Sequence, residues 1–237
     1  MARVFALFAI LVFAGGCQTT SETVKKYPVG SVVSDVILQG EKRIPLPPGN
    51  WKILTSHIDN PLRGINPFNS LILANLNEKA AVFGIWIATD VASSPRYMAT
   101  RLPEKCRSGS AALHYFNPMP LGEMNQKCWF VDIISRGHKP FWKKSLSNAN
   151  NYAERNGVSF PIKKGEYGMV SYQLATPEHF LFVMLFFQEQ NHLASLDLKS
   201  VPVELRQAAL KEIFRDKLVE FGKEYFVKVQ QGFNHAL

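Results

Sequence analysis

Residues 180–187 read Phe-Leu-Phe-Val-Met-Leu-Phe-Phe, eight apolar side chains in succession. As a helix the run is far too short for a bilayer, which needs ~20 residues, and a lone strand cannot close a barrel. As a strand it puts apolar groups on both faces, and both then need cover. The run is therefore expected to be a central strand between two other layers. Any fold for this chain has to supply those layers.

Other stretches supply strands to place beside it. Lys42 to Leu46 is strand-like and runs into Pro47-Pro48-Gly49, a turn whose prolines fix φ and whose glycine permits the reversal. Trp51 to Ile58 alternates, with Trp51, Ile53 and Thr55 expected on one face and Lys52 and Ser56 on the other. Ser70 to Leu76 and Ala80 to Thr89 are apolar and joined through Asn77-Glu78-Lys79, a hairpin signal. Gly84 within the second marks a bulge or a close approach. Trp129 to Ser135 and Tyr167 to Ala175 complete the set. Residues 94–106 admit a short helix begun at Pro95, and 107–126 read as a loop-rich excursion full of Gly, Pro and Asn.

Helical periodicity occurs twice. Pro140 suits a first turn, Trp142, Leu146, Ala149 and Ala153 repeat at helical spacing, and Asn156-Gly157 provides the stop after Arg155. A longer helix starts near Ser200 and Pro202 and runs to about Gln231. Its apolar face carries Leu210, Phe214, Leu218, Phe221, Tyr225 and Val229, and Glu212, Asp216, Glu220, Lys223 and Glu224 fall opposite. That polar face leans acidic, unlike a membrane-surface helix, so the helix is expected to pack on the sheet. The expected fold is α+β: an antiparallel sheet of about six strands, with a long C-terminal helix and one shorter helix packed on it.

The N-terminus carries an address. Arg3 precedes an apolar run from Val4 to Ala14, which matches the central region of a secretion signal and is too short to span. It ends in Ala14-Gly15-Gly16-Cys17. Here the chain resembles the bacterial lipoproteins, whose leader ends in small residues before an acylated cysteine. Leu or a similar residue is preferred where this chain has Ala14. The resemblance covers about 17 residues and implies lipidation of Cys17 by acyl chains such as palmitate. Gln18, in place of Asp, implies sorting to the outer membrane, facing the periplasm. The expected organisation is a signal peptide over 1–16, a lipidated cysteine with a flexible tether over 17–29, and one α+β domain over 30–237. The tether reading rests on its hydroxyl-rich, weakly apolar composition, with Lys25 and Lys26 near the anchor.

Cysteine counting agrees with that address. Of the three cysteines, lipidation uses Cys17 and leaves Cys106 and Cys128 as an even pair. A disulfide between them would close a loop worth about 3 kcal/mol in the chain-entropy account. Two buried reduced thiols are the alternative. Cleavage after Val12-Phe13-Ala14 is the competing processing route and would leave Cys17 an odd thiol.

No motif for chemistry stands out. The six histidines, at 57, 114, 138, 179, 192 and 235, show no metal-ligand spacing to each other or to a cysteine, so no metal is expected. There is no Gly-x-Ser-x-Gly elbow, phosphate loop or dinucleotide fingerprint, and no cofactor is expected. Asp132 stands out within the apolar strand Trp129 to Ile134, sharing a face with Phe130 and Ile134 by alternation. A buried acid of that kind is one route to a general acid or base; an exposed acid or an ion-pair partner for Arg136 is the plainer alternative.

Net charge is +8, and basic residues crowd one stretch. Arg136, Lys139, Lys143, Lys144, Arg155, Lys163 and Lys164 face a single acid, Glu154, with Phe141, Trp142 and Tyr152 between them. Lys139, Lys143, Lys144, Lys163 and Lys164 are candidates for contact with an anionic envelope component, and a solvated helix whose aromatics face the core is the alternative. Nucleic acid is not expected in this compartment.

The body also resembles uncharacterised proteobacterial envelope proteins, through Leu46-Pro47-Pro48-Gly49-x-Trp51 and Cys106 with Cys128-Trp129. That resemblance carries no activity. The sequence therefore points to a lipid-anchored envelope protein, a non-enzymatic binding or assembly module partnered by the membrane and by an anionic component or another envelope protein. The alternative is an envelope hydrolase with a carboxylate-based site.

Overall fold

A computed structural model describes residues 21–39, 42–59, 67–91, 113–117, 126–134, 143–160, 162, 167–176, 179–189 and 203–234. Ten strands are numbered in chain order: β1 (Val32–Val33), β2 (Val36–Gln39), β3 (Lys42–Pro45), β4 (Trp51–Asp59), β5 (Phe68–Asn75), β6 (Val82–Asp90), β7 (Leu113–Asn117), β8 (Gln126–Ile134), β9 (Tyr167–Ala175) and β10 (Phe180–Phe187). Three α-helices are described: α1 (Glu22–Lys26), α2 (Lys143–Arg155) and α3 (Val203–Asn234). Eight strands form one antiparallel sheet in the order β1-β4-β5-β6-β10-β9-β8-β7, and β2 pairs with β3 as a separate hairpin.

The sheet joins two meanders, β4-β5-β6 and β7-β8-β9-β10, where β6 lies beside β10. The apolar run is central, as expected. Leu181, Val183, Leu185 and Phe187 face one core cluster, while Phe182, Met184 and Phe186 face the other. α3 and the β2–β3 hairpin cover the first face, and α2 covers the second together with Phe160 and Ile162.

The α+β class and both helices agree with the sequence, and six of the seven expected strands are β4, β5, β6, β8, β9 and β10 of the large sheet. Two short edge strands, β1 and β7, enlarge the sheet. β7 lies inside the stretch expected to be a loop and pairs with β8 through Leu113, Tyr115, Phe116 and Asn117. Its five residues are flanked by turn-forming residues, and pairing with a neighbour, not local periodicity, makes it a strand. Lys42 to Leu46 is a strand too, but of the separate hairpin.

The expected faces of β4 need a correction. The register with β5 shifts between Ile53 and Thr55, so the bulge at Leu54 puts Thr55 opposite Ile72, on the α2 face. Trp51 and Ile53 stay on the α3 face. A bulge inserts one residue and inverts the alternation beyond it. At Gly84 both sequence expectations meet: the β6–β10 register skips Phe83, and a Cβ on Gly84 would stand 2.7 Å from the Phe160 ring.

Residues 21–29, expected to be tether, are docked. Ser21 caps α1 through Val24 N–H at 3.3 Å, and Thr23 and Tyr27, one turn apart, are buried. Tyr27 joins the α3-side core, and its hydroxyl accepts from Leu38 N–H at 2.6 Å. Average polarity hid one aromatic anchor. Positions 17–20, and the short helix expected from Pro95, lie outside the described residues.

α2 stops where the sequence says. Gly157 has φ +63°, and Val158 N–H reaches the Ala153 carbonyl at 2.9 Å, the six-to-one bond of a Schellman cap. α3 buries Phe214, Leu218, Tyr225, Val229 and Phe233, while Glu212, Asp216, Glu220, Lys223 and Glu224 are exposed. Two contacts seat the hairpin on α3. Burial holds the Tyr225 phenol well above the ordinary tyrosine pKa, and it donates to the Pro45 carbonyl. A Cβ on Gly232 would come within 1.8 Å of the Arg43 carbonyl oxygen, so only glycine lets the two backbones meet.

Gly232→Ala therefore separates propensity from packing. Helix propensity alone favours Ala by ~1 kcal/mol, but the clash is with backbone, and overpacking costs about 1–3 kcal/mol or more. Urea unfolding is expected to show net destabilisation; a stabilised variant would mean that α3 and the hairpin do not touch there.

Candidate functional site

Two groups of polar side chains gather where sheet, helix and hairpin meet, and each contains residue types that do chemistry elsewhere. The first lies under the first turn of α2. His57 and Asp59 sit two apart on β4 and so share a face, and the bulge at Leu54 turns that face toward α2. Ser145 Oγ lies 3.1 Å from His57 Nε2 and donates to Asp59 Oδ2 at 3.0 Å. His57 Nε2 is 3.2 Å from Asp59 Oδ1. Ser70 accepts from Trp86 Nε1 at 2.8 Å and also bonds Asp59.

A Ser, a His and an Asp in contact invite comparison with a hydrolytic triad. A triad needs the acid on one ring nitrogen and the nucleophile on the other, so that the proton passes through the imidazole. Here one nitrogen, Nε2, faces both Ser145 and Asp59. The serine proton already goes to the carboxylate, and Ser145 is 1% exposed. The arrangement cannot relay a proton to an attacking hydroxyl. It can fasten α2 to β4. The first turn of α2 has no acid of its own and opens on Lys143 and Lys144, so Asp59 brings negative charge beside the helix's positive end.

Burial raises the Asp59 pKa, but the bond and charge of His57 and the bonds from Ser145 and Ser70 together outweigh it and hold the carboxyl below its ordinary value.

The second group gathers at one end of the sheet, where β6 finishes and β10 begins. Lys42 Nζ stands 2.9 Å from Asp90 Oδ1 and 3.1 Å from Oδ2, with the two side chains 5% and 6% exposed. His179 Nδ1 is 3.1 Å from Asp90 Oδ2 and 3.3 Å from Lys42 Nζ. Phe180 N–H donates to Asp90 Oδ1 at 3.1 Å, and Asn69 Nδ2 donates to the Asp90 carbonyl at 2.8 Å. Local structure presents each member. Lys42 opens β3 at the hairpin tip, Asp90 ends β6, and His179 closes the β9–β10 turn through paired bonds with Thr176 at 2.7 and 3.1 Å.

Both carboxylate oxygens of Asp90 are thus occupied, and the ammonium is held by both. That leaves no free lone pair for a general base and no free cation for a substrate. Gln39 lies directly across from Lys42 in the hairpin and is 3% exposed, and neither of its amide atoms has a partner among the described residues. Thr89 Oγ1, one residue before Asp90, is also buried without a partner among the described residues. A buried polar atom left so is satisfied by ordered water in most folds.

The residues singled out from the sequence are dispersed. Cys128 is fully buried on the α2-side face, and Cys106 and Cys17 lie outside the described residues. Lys143 opens α2 and Lys144 is exposed, while Lys139, Lys163 and Lys164 fall outside the described residues. Asp132 is half-buried, opposite Met169 of β9, with Phe130 and Ile134 on its face as alternation requires. Both polar groups escaped sequence reasoning. His57-x-Asp59 was legible as a same-face pair, but Ser145 and the Lys42–Asp90–His179 set are joined only by the fold. Among the described residues no three His, Cys, Asp or Glu are placed to hold a metal, and no helix is long and apolar enough to cross a membrane. No family model, curated protein or solved structure matches the chain.

Asp59 gives a pH test. Because its folded pKa is lowered, its stabilisation is fully present above the unfolded value and is lost as pH falls through the folded one. Stability curves of the native protein and Asp59→Asn, from urea unfolding across the acid range, should differ at neutral pH and converge toward the acid limit. Parallel curves would contradict the bonding described.

Proposed function

We propose that this chain is a lipid-anchored protein of the bacterial cell envelope, held to the outer membrane through Cys17 and facing the periplasm, where it serves as a non-enzymatic binding or assembly module. The observation that carries this reading is the leader itself: Arg3, the apolar run to Ala14, and Gly15-Gly16-Cys17. The pairing of Cys106 with Cys128 belongs to the same proposal, because an oxidising compartment is where such bonds persist.

The geometry supports the non-enzymatic half. Both polar groups spend their hydrogen-bonding capacity on joining secondary structures, and neither offers a nucleophile with a base beyond it. Among the described residues, the hydrolase alternative draws on the half-burial of Asp132 alone. For the binding surface, the α2 segment is the leading candidate. Lys144 and Arg155 are exposed on α2, and Lys139, Lys143, Lys163 and Lys164 belong to the same basic stretch.

Mass spectrometry of the mature protein, reduced and non-reduced, tests the anchor and the cross-link together. A product beginning at an acylated Cys17, with the other two thiols oxidised, is expected. An unacylated product beginning elsewhere would overturn the assignment. In a second arm, charge reversal at Lys143, Lys144, Lys163 and Lys164 should weaken binding to anionic vesicles or envelope polysaccharide; unchanged binding would remove this segment from the proposal.

A further inference from the structure

Four peptide steps separate Cys17 from Ser21, and that covalent distance limits how the body can stand on a membrane. Building on the reading of Cys17 as the anchor, we propose that one end of the sheet lies against the headgroups of the anchoring membrane: the end where β5 starts, β6 finishes and β10 begins. The occupant of this surface is an anionic phospholipid layer.

The chain joins the fold at that end. Ser21 Oγ is 2.5 Å from Asn69 Oδ1 near the start of β5, and Asn69 Nδ2 reaches on to the Asp90 carbonyl at the end of β6. From Ser21 the chain packs alongside β4 and reaches β1, whose Val32 pairs with Lys52 toward the opposite end. Ser21 is thus a fixed point on one end of the sheet, not a place from which the body swings.

Length decides the rest. Four residues span at most ~14 Å even when fully extended. A domain of this size has a radius of gyration of about 17 Å. The leash is shorter than the body's own radius, so the far end cannot be brought round to the bilayer. Charge favours the same face. Lys25 and Lys26 are exposed in the last turn of α1, and Arg43 is exposed beside buried Lys42 at the hairpin tip; among the described residues nearby, Glu22 is an exposed acid. The opposite end is the β5–β6 turn at Asn77 to Lys79, about 25 Å away along an eight-residue strand.

The test places a fluorophore at one end or the other of the acylated full-length protein, on vesicles containing phosphatidylglycerol and a headgroup-linked quencher. Azidophenylalanine introduced in place of Glu22 or of Lys79, both exposed, accepts the dye without touching the cysteines. Quenching is expected to be several-fold stronger at position 22 than at position 79. Equal or reversed quenching on acylated, vesicle-bound protein overturns the orientation and leaves the anchor standing. Protein that carries no acyl chains and does not sediment with vesicles overturns both.

Discussion

Two adjacent strands with no polar face govern this structure. β6 and β10 bury side chains toward both sides, and an antiparallel sheet built around them cannot leave either surface to water. The burial of a Leu, Ile or Phe side chain is worth about 1.5–3 kcal/mol, so each uncovered face would forfeit several such terms at once. The remaining elements answer that need. α3 and the β2–β3 hairpin share one face, and α2, drawn out of the β8–β9 connection, reaches across to β4 and β5 on the other.

Covers made from different parts of the chain have to be held in place, and the polar groups sit where they are held. Ser145, His57 and Asp59 pin α2, and Lys42, Asp90 and His179 pin the hairpin tip to the strand ends. A buried ion pair adds little over a well-packed apolar contact, yet losing one partner strands a charge and costs about 3–5 kcal/mol. Such a pair acts through specificity: it permits one seating of the hairpin. Gly232 and Tyr225 impose the same seating from the α3 side.

Much of this was legible in the sequence, for identifiable reasons. Strands β9 and β10 agree with the expected bounds to the residue, because a long apolar run between turn residues has few other fates. The end of α2 was set by Asn156-Gly157, a local stop that needs no tertiary help. Where the sequence misled, the cause was non-local. β7 exists through pairing with β8, the face of Thr55 depends on a bulge that only the β5 register reveals, and the docking of 21–29 depends on Tyr27 finding the core. The candidate sites were illegible for the same reason: Lys42 and His179 are 137 positions apart, and no spacing rule links them.

The central claim is that the Lys42–Asp90 pair is a fastener, coupled in the folded state. The most direct measurement is a double-mutant cycle by urea unfolding with Lys42→Met, Asp90→Asn and the double variant. The account predicts that Lys42→Met alone costs about 3 kcal/mol or more, and that the double variant loses clearly less than the sum of the single losses. Losses that add to within ~0.5 kcal/mol, the behaviour of independent sites, would contradict it.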